Sequence, residues 1–219
     1  MRITDYSYWE ETHLPKTVTT RSSAGISYST MVYTYDDAGR LLSEDGPLPG
    51  TGDAVYFRYD AAGRRNWEIG RNNSRNQRVA KRFTLLREQD SQPEIIDIGT
   101  LSSHTSSSLT IDTTETIAYT TLGLPKTLKT IAGSTVYQLK QISYDARNRI
   151  DCEVQRMNPS QFSNPPASAC SLGLAGSFGP DRIRRFEYDF ESRTRKVTSG
   201  YGDVTPFSVA PGSRVRQLM

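Results

Sequence analysis

Four aspartates recur in one setting. Tyr35-Asp36, Tyr59-Asp60, Tyr144-Asp145 and Tyr188-Asp189 are each followed, four residues after the aspartate, by Arg40, Arg64, Arg149 or Arg193. Carboxylates set near one another can do general acid–base work. A catalytic pair, however, is built once and gathers residues from separate places. A motif that returns along the chain is an architectural unit. The aspartates are therefore read as turn residues, each accepting from the backbone N–H two residues on.

The other candidate chemistries are no better supported. His104 sits among serines in SSHTSSS, but no nucleophile elbow of the G-x-S-x-G kind surrounds them, so it is read as a solvated loop histidine. His13 falls in a degenerate turn and is expected to be exposed there. GLAGSFGPDR lacks the Gly-Lys-Ser/Thr ending of a phosphate loop and is read as a loop. RNNSRNQRVAKR is basic, but its asparagines speak for a hairpin tip, and no zinc-finger or RNA-binding signature accompanies it. Cys152 and Cys170 are the only cysteines, and two distant histidines do not complete a zinc site with them. Acidic neighbours, Asp151 and Glu153, disfavour a thiolate at Cys152. In an oxidising compartment the two read as a disulfide that staples the proline-rich stretch between them. No enzymatic activity, cofactor, metal or nucleic-acid partner is expected.

The element that must position the aspartates is a hairpin. Aligning the motif and its weaker copies gives seven anchors, Tyr8, Tyr35, Tyr59, Leu85, Tyr119, Tyr144 and Tyr188, at steps of 27, 24, 26, 34, 25 and 44 residues. The last step is wide enough for a missed unit or a long insertion. Two residues before each anchor stand Tyr6, Tyr33, Phe57, Phe83, Ile117, Ile142 and Phe186, all aromatic or β-branched. Spacing by two puts each pair on one face of a strand, with small or polar residues between. Gly39, Gly63, Gly123 and Asn148 follow the motif start at the place where a type I turn ending in a G1 bulge needs positive φ. Ser192 fits that place less well, so its turn is expected to differ. A return strand such as LLSE or RNWEI then closes the hairpin. A lone hairpin is marginal in water, and stacked hairpins form a quasi-one-dimensional array.

The Y-x-Y-D-x-x-G-R-L pattern resembles the YD repeat of the RHS (rearrangement hotspot) family, whose relatives occur in insecticidal toxin complexes and teneurins. CEVQRMNPSQFSNPPASACSLGLAGSFGPDRI (152–183) and SEDGPLPGTGDAVYFRYDAAGR are similar to segments of bacterial RHS cores. The resemblance covers roughly residues 1–202. It implies an all-β array whose repeats spiral into a hollow sheet, enclosing or protecting a C-terminal toxin domain. The parent would be a secreted or cell-surface polymorphic toxin used in bacterial competition, and the partners would be further YD repeats and an enclosed toxin domain. The D-P-x-G-L-type motif that ends such cores is not found here. A second reading is a surface module whose exposed aromatics bind glycans or a partner protein.

Composition fits either reading. No apolar run approaches the ~18 residues that span a bilayer, and a net charge of +3 is too small to imply a nucleic-acid or membrane partner. The start, MRITDYSYWEET, has no basic region followed by an apolar core and does not read as a signal peptide; export would rest on a longer parent chain or another device. The expected organisation is one hairpin array over 1–202, a curved partial shell with an irregular insertion at about 157–183, and a loose tail at 203–219. Its seven hairpins make about 14 strands, a wall with unpaired edges rather than a closed container.

Overall fold

The computed structural model describes residues 1–85 and 92–200, together with the backbone of Val215–Gln217. The expected loose tail lies outside the described residues except for those three. The chain divides into two compact units, Met1–Asp112 and Thr113–Met219.

The first unit holds β1 (Arg2–Tyr8), β2 (Pro15–Ser22), β3 (Ser27–Tyr35), β4 (Leu41–Asp45), β5 (Val55–Tyr59), β6 (Arg65–Asn72), β7 (Arg78–Leu85) and β8 (Pro93–Leu101). Each pairs antiparallel with the next. β9 (Thr110–Tyr119) starts at the end of this unit and runs into the second. There it is followed by β10 (Pro125–Ala132), β11 (Thr135–Tyr144), β12 (Ile150–Arg156), β13 (Arg182–Tyr188), β14 (Thr194–Ser199) and β15 (Val215–Gln217), again antiparallel in chain order. Among the described residues there is no α-helix. The one helical turn is 3-10, at Pro159–Gln161, and the Asn158 side chain caps it.

All seven anchors are the last residue of an odd-numbered strand. The register also slips by one residue between the anchor and the residue before it in all seven strands, β1, β3, β5, β7, β9, β11 and β13. That slip is the bulge expected of a turn whose last residue takes positive φ. The unequal steps have a simple origin. Apart from residues 86–91, which are not described, and one extra residue in the first turn, length varies at the other end of the hairpins, in the links from even to odd strands. The β10–β11 link is two residues, Gly133 and Ser134, whereas the β12–β13 link is an excursion over 157–181. The 44-residue step is thus an insertion and not a missed unit.

The strands alternate as expected, but the tightest burial is on the face away from the anchors. In the first unit Trp67, Ile69, Ala80 and Leu101 form a buried cluster joined by Tyr56 and Leu109. In the second, Cys152, Val154, Ala169 and Ile183 form another. A single-layer sheet has no second layer to bury against. What covers it is its own inserted chain: residues 102–109 in the first unit and 157–181 in the second. The anchor face gains partial cover from neighbouring hairpins, which leaves Tyr33, Tyr35 and Tyr59 half-buried.

Candidate functional site

Each YD aspartate ties one turn together with the same bonds. Asp36 Oδ1 accepts the N–H of Ala38 (3.0 Å) and of Arg40 (2.8 Å), while its Oδ2 accepts Arg40 Nε at 2.6 Å. Asp60 does the same with Ala62 and Arg64, Asp145 with Arg147 and Arg149, and Asp189 with Glu191 and Arg193. These donors hold all four carboxyls below the ordinary carboxylate range. The leading cause is the arginine backbone N–H at Asp36 and Asp60, and the arginine side chain at Asp145 and Asp189. A carboxylate so occupied is a turn cap rather than a general base.

The residue at the turn's end takes positive φ in each case: Gly39 (+76°), Gly63 (+80°), Gly123 (+76°) and Asn148 (+60°). Ser192 does so as well, at +65°, and its N–H reaches the Asp189 carbonyl at 3.1 Å. The expectation that this turn would differ is therefore corrected. The capping carboxylate holds the shape even where the residue tolerates it poorly. The Tyr119 copy keeps the turn with Thr120 in the aspartate's place, its Oγ1 accepting the Leu124 N–H at 3.1 Å. The Tyr8 copy has one extra residue, so the bond closing the turn runs from His13 N–H to the Trp9 carbonyl, with exposed His13 at positive φ.

Sequence reasoning missed one further copy. At the opposite end of the sheet Asn73 Oδ1 accepts the N–H of Arg75 and of Gln77, and Asn76 takes φ +56°. Asn-Ser-Arg-Asn-Gln repeats the pattern of Asp-Ala-Arg-Asn-Arg at 145–149 with neutral amides, and that likeness was the available clue.

The turns also lock successive hairpins together. The Tyr59 hydroxyl donates to the Leu41 carbonyl (2.8 Å), Tyr144 to that of Pro125 (2.7 Å) and Tyr188 to that of Ile150 (2.8 Å). Each acceptor is the first residue of the preceding hairpin's return strand. The preceding arginine lies over the same ring: Arg40 over Tyr59 at 4.9 Å and Arg149 over Tyr188 at 4.4 Å. Arg149 Nη1 also reaches Ser192 Oγ at 3.2 Å. At the corresponding place a Cβ on Gly63 would stand 2.9 Å from Arg40 Nη1. Burial pushes the Tyr144 and Tyr188 hydroxyls above the ordinary tyrosine value, so they remain donors.

Two inserted segments of the first unit are pinned by arginines, buried Arg78 and half-buried Arg58. Arg78 Nη1 donates to the carbonyls of Ala54 (2.6 Å) and Gly70 (3.2 Å), and its Nη2 to that of Thr51, which fixes residues 46–54. Arg58 Nη2 holds residues 102–109 through the carbonyls of His104 and Ser106. His104 is not the solvated loop residue expected. Its ring stacks on Tyr56 with centroids 4.0 Å apart, because the loop folds back over the sheet. Burial first, then Arg78 and Arg58, lowers its pKa. In the second unit Arg156 and Asp181 form an ion pair at 2.6 Å with side chains 1% and 3% exposed. Cys152 and Cys170 are joined as a disulfide, Cα atoms 5.2 Å apart. Phe186 and Tyr188 lie on β13 with Arg184 over the Phe186 ring.

A cleft of about 830 Å³ lies at the first turn and is lined by Tyr8, Trp9, Glu10, Lys16, Tyr35 and Asp37, among others. Lys16 Nζ already sits over the Trp9 ring at 4.5 Å. No helix of the described residues is long and apolar enough to cross a membrane.

No family model matches the chain, and no curated protein matches it. Solved structures do. The crystal structure of TcdB2-TccC3 without its hypervariable C-terminal region aligns over 98% of this chain and 12% of its own, with 12% identity and a TM-score of 0.50. The crystal structure of TcdB2-TccC3-Cdc42 aligns over 90% of this chain and 10% of its own, with 13% identity and a TM-score of 0.46. The chain thus spans about a tenth of the length of these two structures, and at these identities the likeness is one of fold: a β-sheet built from successive antiparallel hairpins.

Proposed function

We propose that this chain is a wall segment of an RHS-type shell, with a structural and protective role and no catalysis, in an exported or cell-surface toxin protein. The carrying observation is the lock between hairpins. Aspartate and arginine close each turn, Tyr59, Tyr144 and Tyr188 bond across to the preceding hairpin, and Arg40 and Arg149 lie over the next ring, so the motif residues are engaged in building sheet. The fold likeness to a tenth of the TcdB2-TccC3 chain supports a part within a larger whole. Its partners would be further YD hairpins and an enclosed toxin domain.

The test extends the reading frame in both directions and digests the purified product with a nonspecific protease. A shell protects a downstream domain while the array is folded and surrenders it once denaturant opens the sheet. Equal cleavage in the native and opened states, or flanking DNA without YD motifs, refutes the reading. The runner-up, a glycan-binding face, draws on the aromatic cleft at Trp9. Binding on a glycan array that is lost in Trp9→Ala would favour it.

A further inference from the structure

We propose that, once its disulfide is reduced, the base of the excursion is a binding site for a borderline-soft divalent metal ion such as Zn²⁺, with Cys152, Cys170 and Asp151 as ligands. The inference is independent of the shell reading.

The three donor atoms already converge: Asp151 carboxylate and the two sulfurs all lie within 4.8 Å of one another. Asp151 Oδ2 stands 3.3 Å from Cys170 Sγ. In the disulfide that sulfur carries no proton, so this is a close approach and not a hydrogen bond. A tetrahedral ion with a metal–oxygen distance of about 2.0 Å and a metal–sulfur distance of about 2.3 Å needs oxygen and sulfur about 3.5 Å apart. The carboxylate is thus already near its place. The sulfurs must part to about 3.8 Å for the same geometry. Cys170 can supply that movement, because it is half-buried and lies on the inserted segment, whereas Cys152 is fully buried on β12.

Charge also favours the ion. Two thiolates and a carboxylate carry three negative charges within one cluster, with Cys152 buried and Asp151 and Cys170 half-buried, which is costly unpaired. Arg185 Nε lies 3.6 Å from Asp151 Oδ1. A divalent ion and this guanidinium together balance the three. Arg185 takes the outer oxygen and turns the inner one toward Cys170, as an outer-shell partner does at a metal site. Water would complete the fourth position.

The chemistry balances with a thiol reductant of the class that keeps cytosolic cysteines reduced. It gives two electrons and two protons to the sulfur–sulfur bond, becomes a disulfide itself, and leaves two thiols. The metal ion then forms two metal–sulfur bonds and one metal–oxygen bond, releasing both thiol protons to solvent. The same two cysteines would hold the excursion in both redox states, by a covalent bond when oxidised and through the metal when reduced.

The test reduces the full chain with a phosphine under anaerobic conditions and titrates it with Co²⁺. One ion per chain should bind, with a thiolate-to-metal charge-transfer band, and Zn²⁺ should displace it. Asp151→Asn should lower Co²⁺ affinity at least about tenfold, the least that loss of even an outer-shell partner costs. Absence of the band, or a band indifferent to Asp151→Asn in a chain that keeps its β-sheet circular dichroism, overturns the proposal. Should that variant fail to fold, the wild-type chain decides: Zn²⁺ must slow reoxidation of the pair by an added oxidant, because metal-bound thiolates are withheld from it, and an unchanged rate overturns it.

Discussion

Removing the Asp181 carboxylate should release the 157–181 excursion without unfolding the hairpins. Arg156 is buried, and its guanidinium meets only acceptors: Gln141 Oε1 at 2.6 Å, the carbonyls of Ser171 (2.7 Å) and Ser168 (2.8 Å), and Asp181. Only Asp181 carries charge. Its Oδ1 accepts the Met157 N–H and its Oδ2 the Gly173 N–H, at 2.9 and 2.8 Å, so the carboxylate ties both ends of the excursion to one cation. Asp181→Ala leaves the guanidinium buried and unpaired, a loss of about 3–5 kcal/mol. At about 1.4 kcal/mol per decade, exchange of excursion amides whose acceptors are not Asp181, such as Phe162 N–H on the Pro159 carbonyl and Ala169 N–H on Ser143 Oγ, should speed by roughly two to more than three orders of magnitude. Amide exchange measured by mass spectrometry on the oxidised chain reads this directly. Replacing both partners, Arg156→Met with Asp181→Leu, should restore much of the protection, because no charge is then stranded. An acceleration below tenfold in Asp181→Ala, or a double variant as labile as the single, refutes the account. The pH dependence has a definite sign. Burial pushes the Asp181 pKa up, but the Arg156, Met157 and Gly173 donors outweigh it and the net shift is downward. The pair therefore stabilises fully above the ordinary carboxylate value of 3.8 and is lost as pH falls below it through the folded value.

At the turns, Ser192→Gly should stabilise the last motif hairpin by up to about 1 kcal/mol, read from the denaturation midpoint, because serine bears a left-handed φ there. Gly63→Ala should destabilise its hairpin, since the added Cβ meets both positive φ and Arg40 Nη1 at 2.9 Å; an unchanged midpoint would sink the hairpin lock. The His104 strap should open in acid: its folded pKa is lowered, so its contribution is present above the ordinary histidine value of 6.5 and is lost as pH falls through the window below it. Protease sensitivity of residues 102–109 that rises with falling pH in wild type, and not in His104→Gln, checks this. Reducing the disulfide in metal-free buffer should cost about 3 kcal/mol for the 17 residues it encloses, visible as a lower denaturation midpoint.

The hairpins were legible because their positions act through side chains that repeat. Tyrosine, aspartate and arginine recur at fixed spacing, and the positive-φ residue betrays the bulge. The failure at Ser192 has the same source. A propensity was read at one residue, whereas Asp189 and Arg193 fix that turn whatever stands between them. His104 was misjudged because the sequence around it, serine on both sides, carries no sign that Arg58, forty-six residues earlier, will draw its carbonyl onto the sheet. Arg156 and Asp181 likewise stand twenty-five residues apart with nothing local to join them. Such pairings are set by where an inserted segment lands, and composition does not encode a landing place.

The lock between hairpins shows why part of an assembly can stay hidden even in a strongly repetitive chain. Its donors are tyrosine hydroxyls, and they recur. Its acceptors are the carbonyls of Leu41, Pro125 and Ile150. Any residue supplies a carbonyl, so the position is free to carry leucine, proline or isoleucine with no change in the bond. Proline is tolerated there for a physical reason, since it lacks an N–H but keeps its carbonyl. Half of each contact therefore leaves no trace in residue type. The stacking of one hairpin on the next can be read from sequence only through the tyrosine that reaches across and the arginine that lies over its ring.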